Sequence, residues 1–257
     1  MMFEYTFVSW LMFPVTIRIA YQVKDTQYRD NVNDQLTLAV PRSDTYFTQE
    51  TRDEVGDTID MIPHRITLAS TSPRRKTLLT QLGLDFTVTP PKEDESSIHT
   101  DPAQRVMENA STKAWSVAAN TESEYVLGAD TIVYHDGVVI GKPKDMEDAR
   151  CMLETLQGRV HKVYTGVSLI RRSDGTELTG SEETLVHMKK LTAEQIQAYI
   201  DTGEPMGKAG AYAIQGFGGA FVDRVVGSFH NVIGLPLSLV WDMFNKMGEE
   251  LMKHVNP

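Results

Sequence analysis

From Ile66 onward the apolar positions fall into short runs whose spacing switches repeatedly between that of a strand and that of a helix. Ile66-Thr67-Leu68-Ala69 predicts a strand, closed by Ser70-Thr71-Ser72-Pro73. Ser72 is a favoured N-cap, and Pro73 suits the first helical position because its missing N–H would have no partner there. Leu78, Leu79 and Leu82 follow at helical spacing, and Gly83 supplies the stop. A second helix is predicted over Pro102–Ala119, with Val106, Ala110, Ala114 and Val117 on one stripe. Tyr125–Tyr134 reads as an apolar strand that Asp136-Gly137 turns back into Val138–Ile140. An Asp-Gly pair accepts the positive φ values that a two-residue hairpin requires.

The next helix runs from Asp145 to Gly158, with Ala149, Met152, Leu153 and Leu156 inward and Cys151 placed with them as inert packing. Strands Val160–Ile170 and Thr184–Met188 flank a turn at Asp174-Gly175. Thr192-Ala193-Glu194-Gln195 has capping-box spacing and opens a helix ending near Gly203. Ala220–Val226 reads as a strand and Leu237–Met252 as a closing amphipathic helix. Strands alternate with helices, yet tight hairpins are present as well. The class is therefore α/β with a mixed sheet, or α+β.

The first sixty residues differ. Tyr5–Ile17 carries no formal charge, but its thirteen residues fall short of the ~20 a spanning helix requires, and Pro14 interrupts them. No basic region or small-residue cleavage site frames a secretory signal. Gln22–Asp60 is polar, acidic and weakly periodic. We expect residues 1–62 to be a poorly ordered or loosely packed extension, and 63–257 to be the working domain. No membrane association is expected.

Composition narrows the classes. One cysteine excludes an internal disulfide framework and a multi-cysteine zinc site, and it suits a reducing, cytoplasmic compartment. The net charge of −10 argues against binding a nucleic acid polymer. Residues 1–62 supply half of that imbalance, with five basic and ten acidic side chains. A local cationic pocket remains compatible with the total.

Several places carry chemistry. Ser72-Pro73-Arg74-Arg75 puts two arginines in a first helical turn, where the helix dipole opposes them. They are either a solvated surface pair or the guanidinium half of an anion site completed by backbone N–H groups. Asp130 interrupts a strand that otherwise reads as buried; metal ligation, general-base duty or a structural bulge would each justify it. In a two-residue hairpin 133 pairs 140 and 131 faces 142, so Lys142 lies near Asp130 but on the opposite face. A shared site then needs splayed strand ends or a bulge. Lys113 sits among small apolar residues on the second helix, and Glu93, Asp94 and Glu95 form an acidic loop; each is open to a solvated reading. Lys208-Ala209-Gly210-Ala211-Tyr212 and Gln215-Gly216-Phe217-Gly218-Gly219 allow close backbone approach to a ligand. The seven histidines are too scattered to suggest a zinc set, and neither a P-loop nor a dinucleotide fingerprint is present.

Taken together, Leu68–Arg75, Leu127–Thr131, Gly141-Lys142-Pro143, Lys208–Gly216 and Gly227–Pro236 resemble the Maf family of nucleoside triphosphate pyrophosphatases, over about Arg65 to Asn245. The resemblance implies an inosine-triphosphatase-like fold, two lobes on a long mixed sheet around a cleft. It implies hydrolysis of the α–β phosphoanhydride with a divalent cation, Mg²⁺ or Mn²⁺, and a homodimer. It gives Arg75, Lys113 and Lys142 to the triphosphate, and Glu95 and Asp130 to the metal, with Asp130 also the proton acceptor. Ser72 and Lys208 join the binding set. Arg74, Thr131 and Gln215 mark the branch acting on dTTP and UTP. Two rivals stand beside it: a nucleotide-binding regulator of cell division and septum formation without turnover, and a purine sanitiser of the inosine-triphosphatase type.

Overall fold

The computed structural model describes residues 65–92 and 97–255, residue 254 by its backbone alone, and the backbone of two short strands near the N-terminus. The chain divides into two compact units, Met1–Ile59 and Asp60–Pro257. In the first, β1 (Glu4–Phe7) and β2 (Val15–Arg18) pair antiparallel. The rest of the expected N-terminal extension, and the acidic loop at 93–96, lie outside the described residues.

The second unit is built on a mixed sheet. Its strands are β3 (Ile66–Ala69), β4 (Phe86–Thr89), β5 (Tyr125–His135), β6 (Val138–Ile140), β7 (Val160–Arg171), β8 (Thr176–Met188) and β9 (Val222–Val226). The order is β4-β3-β5-β7-β8-β9, with β6 paired to β5. β3 runs parallel to both β4 and β5, and the remaining pairs are antiparallel. The hairpin register is the one its turn dictates, Val133 opposite Ile140 and His135 opposite Val138.

Among the described residues six α-helices flank this sheet: α1 (Pro73–Gln81), α2 (Pro102–Ala118), α3 (Met146–Leu156), α4 (Ala193–Asp201), α5 (Phe229–Ile233) and α6 (Leu237–Lys246). The stripe Val106, Ala110, Ala114 and Val117 on α2 is fully buried, as its spacing requires. α4 carries both halves of the capping box at Thr192 and Gln195. Two large apolar clusters form the core. One joins β3, α1 and α6 through Leu68, Leu79 and Phe244. The other joins the hairpin end of β5 to α3 and α4 through Val133, Leu153 and Tyr199.

Several expectations are corrected. Ser72 caps α1 by backbone position only; its side chain makes no capping bond. β8 begins at Thr176 rather than Thr184, because its polar first half is held by a full ladder to β7 rather than by burial. β4 and α5 had no clear periodic signal, being four and five residues long. The closing helix stops at Lys246: Gly248 at φ 74° and the Glu249 N–H bonded to the Phe244 carbonyl form a Schellman terminus. Cys151 is exposed, not packed inside.

Candidate active site

One edge of β5 is continuous, since Tyr125–Tyr134 pairs β7 without a break. The other edge is shared. β3 covers it as far as Gly128 and β6 takes over only at Val133. Between them, Ala129–Ile132 have no strand beside them, and the chain leaving β3 opens directly into α1. A sheet whose strands part in this way leaves a crevice at the carboxyl end of the parallel pair. Asp130 and Thr131 stand in that opening.

Asp130 points toward α2, where Lys113 Nζ donates to Oδ1 at 2.6 Å and Asn109 Nδ2 to Oδ2 at 2.9 Å. All three residues are buried. A buried carboxylate is tolerable on these terms, with one cation and one further donor. The close seat of α2 makes the contact possible. A Cβ at Gly128 would fall 2.3 Å from the Ala110 carbonyl oxygen, and one at Gly166 would fall 2.2 Å from that of Val106. Two glycines on adjacent strands thus set the depth of the helix that carries Lys113.

Arg75 is buried rather than solvated. Its Nε donates to the Gly234 carbonyl at 2.7 Å, and its terminal nitrogens donate to Ser70 Oγ at 3.1 Å and Thr131 Oγ1 at 3.0 Å. One guanidinium therefore locks the β3–α1 turn, the β5 gap and the α5–α6 junction together. Thr131 Oγ1 also meets Thr165 Oγ1 at 2.9 Å across the sheet.

Lys142 reaches the same hollow because β6 ends at Ile140 and the following turn leaves the ladder. The alternation that sets Asp130 and Lys142 on opposite faces is overcome by splayed strand ends. The Gly210 N–H donates to the Gly141 carbonyl at 3.0 Å, which ties this turn to the segment after Lys208. Gly210 and Ala211 there both hold positive φ, 72° and 58°. For alanine that conformation carries strain of about 1–2 kcal/mol, and it turns Tyr212 toward the cavity. Lys208 Nζ donates to the carbonyls of Glu204 and Met206. Burial, then the nearby positive charge of Arg74, lowers its pKa; burial alone lowers that of Arg74.

These pieces enclose a cavity of about 700 Å³, within the range that holds a nucleotide-sized ligand. Ser72, Arg74, Arg75, Lys113, Asp130, Thr131, Lys142 and Lys208 all line it. Five cationic side chains thus face one carboxylate among the described lining residues, in a chain of net charge −10. An apolar part of the wall is supplied by Val133, Val163, Tyr212, Ala213 and Ile214. Gln215 is exposed and adjoins this wall without lining it. Glu95 lies outside the described residues.

The site suits a hard divalent cation held in part by its ligand. Two carboxylate oxygens offer about four acceptor positions, and Asp130 spends two of them on Lys113 and Asn109. A small cation such as Mg²⁺ is commonly bound through one or two carboxylates plus substrate phosphates. No group of three or more His, Cys, Asp and Glu among the described residues would hold a metal unaided.

Sequence reading missed Asn109, Ser70 and Gly234. Asn109 lies four residues before Lys113, the helical spacing that puts both on one face, and that was the available signal.

The family profile described as Maf-like protein matches residues 65–247. The chain belongs to the Maf family. A dTTP/UTP pyrophosphatase of Thermoanaerobacter sp. (strain X514) is 49% identical over 183 residues, 71% of this chain and 96% of the relative. That of Symbiobacterium thermophilum is 48% identical over 185 residues, 72% and 94% of the two chains. That of Moorella thermoacetica is 45% identical over 192 residues, 74% and 99%. Among solved structures, the Staphylococcus aureus Ham1 protein overlaps 48% of this chain and 71% of its own at 16% identity and a TM-score of 0.35, too slight a likeness to argue from. The matched Maf region contains every lining residue of the cavity. No helix among the described residues is long and apolar enough to cross a membrane.

Proposed function

We propose that this Maf protein hydrolyses the α–β phosphoanhydride of pyrimidine nucleoside triphosphates, dTTP and UTP, to monophosphate and pyrophosphate, clearing excess or non-standard nucleotides. The observation that carries the reading is the concentration of Arg74, Arg75, Lys113, Lys142 and Lys208 around Asp130 in one cavity of an acidic protein. A triphosphate supplies the negative charge that such a cluster lacks. Its transfer chemistry depends mainly on positioning and on neutralising developing charge.

In this reading the exposed Lys142 and the half-buried Arg74 and Lys208 take the phosphates. Arg75 holds the Ser70 turn against Thr131 of β5 beside them. Water adds to the α-phosphorus, the bond to the α–β bridging oxygen breaks, and Asp130 receives the proton of the attacking water. Lys113 holds the Asp130 carboxylate aimed. A divalent cation, Mg²⁺ or Mn²⁺, would be held by Asp130, Glu95 and phosphate oxygens, and would neutralise charge on the triphosphate. The base rests toward the apolar wall, with Gln215 able to donate to a pyrimidine O4 and accept from N3–H. The homodimer and a cytoplasmic location belong to the same reading; light scattering and a fluorescent fusion test them.

Incubation with dTTP, UTP, CTP, ITP and 7-methyl-GTP in the presence of Mg²⁺ tests the activity. Pyrophosphate release with pyrimidine preference is expected. Orthophosphate without pyrophosphate overturns the bond assignment, and purine preference overturns the branch. Tight nucleotide binding without hydrolysis under any divalent cation favours the regulator of cell division instead.

A further inference from the structure

The apolar wall beside Gln215 is held from behind by one carboxylate. Glu204 Oε1 accepts the Tyr199 hydroxyl at 2.8 Å and the Gly218 N–H at 3.0 Å, and Oε2 accepts the Phe217 N–H at 3.0 Å. The Tyr199 hydroxyl in turn accepts the Ala213 N–H at 3.2 Å. Ala213 and Ile214 line the cavity and Gln215 follows them. The carboxylate sits so close that a Cβ at Gly216 would fall 2.5 Å from both its oxygens. On its other side the Glu204 carbonyl accepts from Lys208 Nζ, a lining cation.

Tyr199 is itself fixed. It is fully buried at the end of α4, stacks on Phe217 at 6.3 Å and meets Phe221 edge-on at 4.9 Å. Its hydroxyl has one donor role and one acceptor role, and both are used within this group. A glycine-rich turn, Gln215-Gly216-Phe217-Gly218-Gly219, has few side chains with which to define its own shape. Here charge-assisted bonds to Glu204 define it from outside.

We propose that Glu204, acting through Tyr199, is a positioning residue for base selection, holding Ala213–Gln215 at the depth where the nucleotide base is read. This inference rests on the pyrophosphatase reading and adds to it a residue that touches no substrate. The Glu204 carboxylate shapes the strip at Ala213–Gln215 through Tyr199 and the Phe217-Gly218 turn, while its backbone carbonyl separately accepts from Lys208. Loosening it lets the strip drift, so discrimination between bases weakens more than phosphate handling does.

Steady-state kinetics on UTP, dTTP, CTP and ITP with Mg²⁺, for wild type, Glu204→Ala, Glu204→Gln and Tyr199→Phe, tests this. The readout is the ratio of kcat/KM between the best and the poorest nucleotide. Glu204→Ala is expected to lower that ratio about tenfold, mainly through KM of the preferred nucleotide, the effect of one or two lost hydrogen bonds. Glu204→Gln keeps one carbonyl acceptor and should retain part of the ratio; it carries the test where the alanine variant does not fold. Tyr199→Phe should fall between them. An unchanged ratio in active variants, or an equal proportional loss for every nucleotide, overturns the inference and leaves the pyrophosphatase reading standing. Wild type that releases no pyrophosphate from any of the four overturns both.

Discussion

The side-chain amide of Asn109 donates to Asp130 Oδ2 at 2.9 Å while its own carbonyl accepts the Ser97 N–H at 3.1 Å. One buried residue thereby ties the site carboxylate to the chain that leaves the acidic loop. Asn109→Leu removes both bonds at a buried position. A stability loss of about 1–3 kcal/mol is expected, read as a lower urea midpoint. On UTP, kcat should fall more than KM rises, because Asp130 loses one of its two orienting donors. Wild-type stability together with wild-type kcat would refute the link.

The Lys113–Asp130 pair makes a different prediction. Asp130→Asn removes the charge that Lys113 meets at 2.6 Å in a buried setting. Breaking such a pair costs about 3 kcal/mol or more, whereas replacing both partners is often close to neutral. Asp130→Asn should therefore lose turnover and also melt earlier. The double variant Asp130→Asn with Lys113→Met should recover most of the melting temperature and none of the turnover. A double variant no more stable than the single one would show that the pair is not the source of the loss.

Gly128→Ala tests how the helix seat reaches the site. The added methyl would meet the Ala110 carbonyl oxygen at 2.3 Å, a backbone atom that cannot rotate aside. α2 must lift, and overpacking of this kind costs about 1–3 kcal/mol or somewhat more. Activity should fall further than stability predicts, since Lys113 and Asn109 move with the helix. Retained activity in a protein that melts normally would separate the seat from the site.

His161 governs part of the acid response. Burial first, then the neighbouring His135 and His187, lowers its pKa from 6.5 to about 4. Its Nε2 meets the hydroxyl of Tyr212, a cavity residue, at 2.8 Å. The unfolded chain takes up this proton below about pH 6.5, whereas the folded chain resists until about pH 4. Stability from this group is thus complete above 6.5 and is lost as pH falls toward 4, roughly 3 kcal/mol in all. Urea titrations from pH 7.5 to 4.5 should show a shallower decline for His161→Gln than for wild type. Parallel curves would remove the assignment.

The strand and helix identities of the working domain were readable because their signals are local. The α2 stripe, the Asp136-Gly137 hairpin and the Thr192 capping box each depend on residues a few positions apart. The first half of β8 was not readable. Glu177, Thr179, Ser181 and Glu183 lack apolar alternation, and their strand exists because β7 offers a ladder beside them. The end of α6 was misplaced because amphipathic spacing continues past a glycine whose positive φ stops the helix.

The sequence by itself determined which side chains are available: five cations and a carboxylate set among small, turn-forming residues, all within the stretch that matches the Maf family. Only the tertiary structure decided how they meet. Lys113 looks like a surface residue until Gly128 and Gly166 let its helix sink onto the sheet, and Arg75 looks solvated until Gly234, Ser70 and Thr131 close around it. The reason is physical: burial and pairing energies depend on distances between residues far apart in the chain, and no local pattern encodes them.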